Sequence, residues 1–374
     1  MSRLSIRPVS TGSEKRTFLR LPWKIYHGDP NWVPPLMMDR KKLIDRKNNP
    51  FYRHARIELF LAICDGEPVG RIAAIVNDNH NKEHGENIGF FGFFECIDDQ
   101  QVASALFDKA AEWLKQNGVT AMRGPASPSV NDEYGLLVDG FEYPPAVLMS
   151  YNPRYYPALV TGAGLTGCKD LYAYRLHESS FITDKLRRVT EIVRKRQELV
   201  IRSLNMKDFD NEVRIIRKLY NEGWSRNWGE VPMTDEEFMY AAKDLKAIVN
   251  PDLVIIAESK GEPVGFALTL PDLNLVQIRN KGGYLIPFLI RYLLYKKQIN
   301  RVRIIILGVL PQYLNSGIGG ALFYEAGVRA VTRGYPWGEA SWVLEDNVMM
   351  NRGAELMNGE RYKTYRIYER SVET

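Results

Sequence analysis

Residues 57–76 read IELFLAICDGEPVGRIAAIV, and residues 253–270 read LVIIAESKGEPVGFALTL. Both stretches contain the pentapeptide GEPVG, at 66–70 and at 261–265, between two apolar runs. Apolar β-rich runs that are joined by a short turn with glycine predict an antiparallel hairpin. The same hairpin is therefore predicted twice in this chain.

Further matches follow in the same order, which indicates a duplication. A helical pattern begins with ALF at Ala105 and again at Ala321, and Asn131 and Asn347 stand at the same displacement from these helices. The hairpins are 195 residues apart and the helices 216, so the second copy holds about 21 extra residues. These fall within an insertion at 275–300.

The length of 374 residues favours two domains, since larger chains seldom form a single core. We predict a first copy at 1–178, a charged helical connector at 179–198 and a second copy at 199–374. The insertion belongs to the second copy in this division.

The composition is that of a globular protein, with 45% hydrophobic residues and a net charge of +5. This charge suits an anionic ligand such as a nucleotide cofactor, and equally suits none. Cys64, Cys96 and Cys168 form no CxxC pair, which favours a reducing compartment. We find no signal peptide and no apolar stretch of transmembrane length, so a cytoplasmic location is expected.

The segment at 309–320, VLPQYLNSGIGG, joins an apolar strand to an amphipathic helix. Glycine lets the backbone approach a ligand closely, and the first helical turn offers N–H donors and the positive end of the helix dipole. Together these features predict a phosphate or pyrophosphate site. The spacing fits neither the P-loop nor the dinucleotide-binding motif.

This segment resembles the pyrophosphate loop of the GNAT superfamily of N-acyltransferases, whose pattern is [Q/R]xxGx[G/A] after a strand that ends in V-x-P-x-Y. Val309, Pro311 and Tyr313 match, as do Gly317 and Gly319. The [Q/R] position holds Leu314, which removes one side-chain contact of the family pattern but leaves the backbone donors. Other segments of both copies resemble bacterial tandem-GNAT proteins, so the resemblance covers nearly the whole chain.

The resemblance implies an α/β fold of the α+β type, with two tandem domains that each have a mixed, mainly antiparallel sheet flanked by helices. It implies an acetyl-coenzyme A or longer acyl-coenzyme A as co-substrate, without a metal. The expected cofactor-binding residues are Val309, Leu310, Leu314, Asn315, Ser316, Gly317, Ile318, Gly319, Gly320 and Asn347.

The corresponding junction of the first copy, residues 90–99, lacks the glycine pair. Glu95, Asp98 and Asp99 place negative charge where phosphates would bind, and like charges repel. We therefore expect that the first copy has lost cofactor binding, and that it shapes the acceptor site and stabilises its partner domain.

In a GNAT-type reaction an amine attacks the thioester directly, in a ternary complex. A carboxylate can take the proton, and a backbone N–H near Val309–Leu310 can polarise the carbonyl. Glu345, next to Asn347, is the first candidate base, with a solvated or ion-paired glutamate as the alternative. Glu133 is the second, with a turn residue as its alternative. Many GNAT proteins have a tyrosine acid where this chain has Ala354, so Tyr365 is a substitute candidate.

The five histidines show no metal-ligand grouping, and His80 and His84 are predicted to lie in a surface loop. The insertion contains GGYLIPFLIRYLLYKKQINR. It predicts either a buried or capping helix, or a lip for an acyl chain or lipid amine that contacts a membrane peripherally through 284–298. Some tandem-GNAT relatives are thought to acylate long-chain amines, which fits the second interpretation.

Three functions follow from these observations. The first is an acyl-coenzyme A-dependent N-acyltransferase that acts on a small-molecule or lipid amine, in the latter case at the membrane surface. The second is an aminoacyl-tRNA-dependent transferase, which would need a broad basic groove; no nucleic-acid partner is expected from the modest charge. The third is a non-catalytic binding protein. The oligomeric state stays open.

Overall fold

A computed structural model describes residues 3–224, 227–246 and 248–373. The chain forms two compact units that are each discontinuous in sequence. The first comprises the chain up to Leu171, the segment Gln277–Leu293 and the chain from Lys363 onward. The second comprises Tyr172–Val276 and Leu294–Tyr362.

The strands are β1 (Leu4–Pro8), β2 (Ala55–Cys64), β3 (Glu67–Asn77), β4 (Ile88–Cys96), β5 (Ala121–Gly124), β6 (Ala126–Ser127), β7 (Glu133–Tyr134), β8 (Leu136–Asp139), β9 (Thr166–His177), β10 (Leu199–Ser203), β11 (Val254–Ser259), β12 (Glu262–Pro271), β13 (Arg301–Val309), β14 (Trp337–Leu344) and β15 (Glu360–Ser371). The α-helices are α1 (Gly12–Ile25), α2 (Met37–Leu43), α3 (Asp78–His84), α4 (Gln100–Gln116), α5 (Tyr156–Gly162), α6 (Glu178–Phe181), α7 (Asp184–Arg196), α8 (Phe209–Trp224), α9 (Asp235–Leu245), α10 (Asn274–Gln277), α11 (Leu285–Tyr295), α12 (Ile318–Thr332) and α13 (Val348–Leu356).

Each unit has the same sheet pattern. In the first unit, β1, β2, β3 and β4 pair antiparallel in order, and β4 then pairs parallel with β5. In the second unit, β10, β11, β12 and β13 pair antiparallel in order, and β13 then pairs parallel with β14. The predicted fold class, with mixed and mainly antiparallel sheets, is confirmed.

The two GEPVG hairpins have the same irregularities. Asp65–Gly66 and Lys260–Gly261 all have positive φ angles, between 50° and 89°, as a two-residue type I′ turn requires. Both hairpins also contain a β-bulge, at which Val69 and Val264 are the extra residues that the register skips. A shared turn and a shared bulge support a common origin of the two copies.

The second glycine of each pentapeptide lies under the helix that begins the ALF pattern. A Cβ atom on Gly70 would lie 2.7 Å from Leu106 Cδ1 of α4, and one on Gly265 would lie 3.1 Å from Leu322 Cδ1 of α12. Each leucine is fully buried in the core of its own unit. The glycines therefore let α4 and α12 pack closely on the sheets.

The charged stretch predicted as a helical connector is largely helical, since α6 and α7 cover Glu178–Phe181 and Asp184–Arg196. Both helices belong to the second compact unit. The predicted boundaries at 1–178, 179–198 and 199–374 divide the chain by its sequence repeat, whereas the two units above are divided by their compactness. The predicted boundaries therefore stay a prediction.

The loop predicted around His80 and His84 is wrong, and their predicted surface position holds for His84 only. Both residues lie on α3, and His80 is only 1% exposed, with its Nε2 3.0 Å from Glu86 Oε2. Asn77 caps the helix through its side chain and Gly85 ends it in the left-handed conformation. The caps at both ends stabilise a helix here, although the residues between the two histidines are polar.

Candidate functional site

A gap opens between the two parallel strands of the second unit. β13 and β14 pair from Arg301–Trp337 to Ile304–Ala340. Beyond Ile304, β13 continues to Val309 and pairs only with β12 on its other side. Strands that separate in this way leave the facing backbone groups of β13 without a ladder partner. The gap can therefore receive an extended ligand.

A buried polar cluster lies at the closed end of the gap. Arg303 donates from Nε to Ser341 Oγ and from a terminal nitrogen to the Ser341 carbonyl, both at 3.0 Å. Ser341 Oγ and Tyr362 Oη both donate to the carboxylate of Glu339. All four side chains are at least nine-tenths buried. Because buried charges require such pairing, the cluster holds the strands in place where they diverge.

The amides at the end of β13 have different orientations. Leu310 N donates to Val264 O at 2.9 Å, so this amide is occupied. Val309 stands opposite Gly265 in the register. The bond of Leu310 to Val264 shows that Val309 and Gly265 form a non-hydrogen-bonded pair, in which the amide points away from the partner strand. Val309 N–H therefore faces the gap, and it is the better candidate for polarising a carbonyl.

The glycine-rich loop follows as a 3-10 turn at Pro311–Tyr313 and then the start of α12. Ser316 Oγ donates to Tyr313 O at 2.6 Å and accepts from Ile318 N. Gly317 is the N-cap with a φ of 89°, a conformation that glycine adopts at no steric cost. Ile318 is fully buried and anchors the helix in the core.

The open part of this loop is its backbone. Gly317 and Gly320 are exposed and Gly319 is half-buried. The N–H groups of the first helical turn have no partner within the helix, and Gly319 and Gly320 lie in that turn. Leu314 and Asn315 are exposed on the preceding turn. This corner has the donors that an anion needs.

The end of α7 contributes positive charge beside the loop. A Cβ atom on Gly317 would lie 2.8 Å from Val193 Cγ2, so this helix approaches the N-cap closely. The last turn of α7 carries Arg194, Lys195 and Arg196. Arg194 pairs with Glu325 of α12, whereas Lys195 and Arg196 are exposed. Their charge favours an anionic ligand at the corner.

Glu230 is a half-buried glutamate in the segment that follows α8, and it was not among the candidates from the sequence. Its Oε1 is shielded from solvent, and its side chain forms a hydrogen bond with Tyr220 of α8. The Tyr220 ring lies 4.7 Å from the ring of Trp224, whose Nε1 is 3.4 Å from the position of a Cβ on Gly308. Desolvation raises the pKa of Glu230 to about 8, although the bond to Tyr220 opposes the shift.

Glu230 could not be identified as a candidate from its sequence context, because the repeated Asn-Trp and Val-Pro pairs that flank it do not show that its carboxyl group is desolvated. Its carboxyl group bonds to Tyr220 of α8, and the end of α8 packs against β13, where a Cβ on Gly223 would lie 3.3 Å from Val309 O. A carboxyl group with a strongly raised pKa, bonded to a helix that packs on the strand at the gap, is a candidate acid or base.

The structure places Glu345 and Asn347 just after β14. Glu345 is exposed. Asn347 is the N-cap of α13, and its Oδ1 accepts from Met350 N at 3.1 Å. This capping role accounts for an asparagine at this position, so cofactor contact by Asn347 and base catalysis by Glu345 both stay predictions.

The other two catalytic candidates lie in the first unit. Glu133 of β7 forms an ion pair with Arg40 of α2, and the neighbouring Glu133 charge raises the pKa of Arg40 against the effect of burial. Tyr365 of β15 is fully buried and stands opposite Leu137 of β8. Neither therefore belongs to the same compact unit as the glycine-rich loop, and both roles stay predictions.

The first unit has no comparable opening at the equivalent place. Ile97 N donates to Val69 O, as Leu310 N does to Val264 O, so Cys96 corresponds to Val309. Cys96 N donates to Tyr156 Oη at 2.8 Å. The amide that faces the gap in the second unit is thus occupied by a tyrosine in the first.

Two further contacts fill this region of the first unit. A Cβ on Gly92 would lie 1.8 Å from Ala126 O, so β4 and β6 are in close contact. Asp99 caps α4 by accepting from Gln101 N and Val102 N. The helix donors that would bind a phosphate are therefore occupied by a carboxylate of the chain itself.

Comparison with known proteins identifies relatives over the full length. The chain is 37% identical over 383 residues to the bacterial ceramide synthase of Caulobacter vibrioides, covering 99% of this chain and 98% of that protein. It is 34% identical over 375 residues to Protein YghO of Escherichia coli, covering 98% and 95%. No family model matches.

Solved structures show the same fold. A tandem GNAT protein from the clavulanic acid biosynthesis pathway superimposes with a TM-score of 0.57 at 12% identity, covering 100% of this chain and 99% of the other. A GCN5-related N-acetyltransferase from Sphaerobacter thermophilus gives 0.55 at 12% identity, covering 99% and 96%. The predicted tandem GNAT architecture is confirmed.

Proposed function

We propose that this chain, which belongs to the family of the Caulobacter vibrioides ceramide synthase and Escherichia coli YghO and is an acyltransferase, transfers the acyl group of an acyl-coenzyme A to a lipid amine. The observation that carries the use of coenzyme A is the exposed first turn of α12, with open backbone at Gly319 and Gly320. A pyrophosphate accepts hydrogen bonds from such a turn and gains from its dipole.

The lipid amine is proposed from the family. A ceramide is an N-acylated sphingoid base, so a protein named a ceramide synthase forms an amide on a long-chain amine. At 37% identity along the whole chain, an acceptor of the same chemical class is the simplest expectation. The apolar insertion and the tandem-GNAT resemblance had given a lipid amine as one of two interpretations of the sequence.

The residues of the second unit support a direct transfer. The amine nitrogen attacks the thioester carbonyl, the C–N bond forms, and the C–S bond breaks to release the thiolate of coenzyme A. Val309 N–H faces the gap and would stabilise the negative charge that develops on the carbonyl oxygen. A base must accept the proton of the ammonium before or during attack.

Glu230 is our additional candidate for this base, beside Glu345. Its raised pKa matches the task, because a base that titrates near pH 8 can take a proton from an ammonium and return it to a thiolate. Glu345 is exposed and adjoins Asn347. Separate replacement of each glutamate by glutamine distinguishes the two assignments.

The direct test is to incubate the purified full chain with palmitoyl-coenzyme A and sphinganine, and to measure the N-acylated product and free coenzyme A by mass spectrometry. We expect both products in equal amounts. Acetyl-coenzyme A with the same amine, and palmitoyl-coenzyme A with a short water-soluble amine, test acyl length and acceptor class. Acyl-coenzyme A binding without any amide product from any pair would contradict the transferase and leave a binding protein.

A further inference from the structure

The helix of the insertion has its apolar side on the outside. Of the large side chains on α11, Phe288 is buried at 8% exposure and points into the protein. A single stripe spaced i, i+3, i+4, i+7 and i+8 is exposed between 48% and 72%, and consists of Ile286, Leu289, Ile290, Leu293 and Leu294. This is the spacing of the core-facing side of an ordinary helix. The buried-helix interpretation of the sequence therefore does not hold for this stripe.

The segment before α11 is firmly attached within the first unit. Trp23 Nε1 donates to Lys281 O at 2.8 Å, Arg20 donates to Gly282 O, and Met37 N donates to Gly283 O at 2.8 Å. A Cβ on Gly283 would lie 2.6 Å from the Trp23 ring. The helix is thus presented on an ordered base, and its exposed stripe is a built surface of the protein.

The charged residues of the segment that carries the stripe all have one sign. The segment from 273 to 300 contains Arg279, Lys281, Arg291, Lys296 and Lys297, and it contains no Asp or Glu. Lys281 before the helix and Lys296 and Lys297 after it are exposed. Apolar side chains flanked by lysines are the pattern of a helix that lies in the interface of an anionic bilayer.

We propose that α11 docks the protein onto an anionic membrane surface, with the stripe inserted among the acyl chains and Lys281, Lys296 and Lys297 at the level of the headgroups. Among the described residues, no helix has both the length and the apolar character of a membrane span. The contact that we propose is a peripheral one. This inference goes beyond the proposed function, because it rests on the exposed surface of α11 alone. If the proposed function also holds, the enzyme would bind its lipid amine while the amine is still in the membrane.

Co-sedimentation of the full chain with vesicles tests this surface. We expect binding to vesicles with phosphatidylglycerol and at least about tenfold weaker binding to phosphatidylcholine alone, because lysines contribute only where the surface is charged. Ile286→Ser with Leu293→Ser should reduce binding about tenfold or more, since two inserted side chains are lost. Both residues are exposed, so the variant should fold, and its melting temperature checks this.

The matched control is Val200→Ser with Leu356→Ser, which removes two apolar side chains of similar exposure, 59% and 73%, from β10 and α13. This control should bind vesicles as the parent chain does. Equal binding by both double variants, or no binding by the parent, would overturn the proposal. Size-exclusion chromatography with light scattering tests the competing case, in which the stripe is a contact between two copies of the chain. In that case the parent chain is a dimer that does not bind vesicles, and only Ile286→Ser with Leu293→Ser dissociates it. Turnover is not measured, so a failure here is distinct from a failure of the transferase.

Discussion

Cys96 N donates a hydrogen bond to Tyr156 Oη at 2.8 Å, in the first unit, at the position where Val309 N–H of the second unit faces an open gap. The same hydroxyl donates to Glu95 Oε2 at 2.7 Å. Tyr156 thus accepts a hydrogen bond from the amide that corresponds to Val309 N–H, which we propose as the donor to the substrate carbonyl in the second unit. The two copies share a strand pattern, and Tyr156 is one of the side chains that make them differ, beside Asp99 at the start of α4.

Replacing Tyr156 with phenylalanine tests this assignment. Tyr156 is 1% exposed, so the change leaves the buried Cys96 amide and Glu95 carboxyl each without one partner. We expect a loss of about 1–3 kcal/mol in the free energy of unfolding, measured in urea. Acyl-coenzyme A affinity, measured by calorimetry, should not change. A large change in affinity would show that the first copy takes part in cofactor binding.

A negative charge at the start of α12 should weaken acyl-coenzyme A binding. A Cβ on Gly320 meets nothing within 4 Å, so side chains fit there without strain. Gly320→Asp should raise the Kd for acyl-coenzyme A roughly tenfold, through repulsion of the phosphates. Gly320→Asn, of equal size and no charge, is the control and should have the smaller effect. Equal Kd values for the two variants would mean that the pyrophosphate does not bind at this turn.

Glu230 should determine how turnover depends on pH. If it is the base, kcat rises as pH increases through about 8, where its carboxyl group loses its proton. Glu230→Gln should lower kcat about a hundredfold, abolish this rise and leave the Kd for acyl-coenzyme A unchanged. The exposed Glu222 of the same region gives the control Glu222→Gln.

Stability offers a second readout for Glu230. Its pKa is higher in the folded state than in the unfolded state, so ionisation opposes folding, and the cost grows as pH rises from about 4.5 to about 8. Glu230→Gln removes that cost. The melting temperature of the variant should therefore be higher than that of the parent at pH 9 and not at pH 4. A lower melting temperature of the variant at pH 9 would contradict burial of the carboxyl group.

His80 should make the first unit sensitive to acid. Desolvation lowers the pKa of His80 to about 4, against the opposing bond to Glu86, so the folded state disfavours the protonated ring. The contribution of the neutral His80 ring to the stability of the fold is complete above the unfolded pKa of about 6.5. This contribution is lost as pH falls towards 4. Between pH 7 and pH 5 we expect a loss of roughly 2 kcal/mol in the free energy of unfolding.

His80→Gln should show a flatter dependence in urea unfolding over the same range, whereas His27→Gln, at an exposed position, should behave like the parent. An unchanged slope in His80→Gln would assign the acid sensitivity to other groups.

The sequence alone determined the duplication, the hairpins and the glycine-rich loop. These features depend on residues close together in the chain: apolar runs define strands, Asp65–Gly66 and Lys260–Gly261 fit only a tight turn, and Gly317 permits a left-handed N-cap. Local conformational preference is readable without knowledge of distant contacts. The GNAT resemblance extended this reading to the whole chain.

Only the tertiary structure decided which groups are available for chemistry. Pairing of β13 with β12 occupies the Leu310 amide and turns the Val309 amide towards the gap. The fold desolvates the carboxyl group of Glu230 beside Tyr220 of α8, and the orientation of α11 puts its apolar stripe outside. Burial and hydrogen bonding depend on neighbours far along the chain, so the identity of a residue does not reveal whether its amide, carboxylate or methyl groups remain exposed.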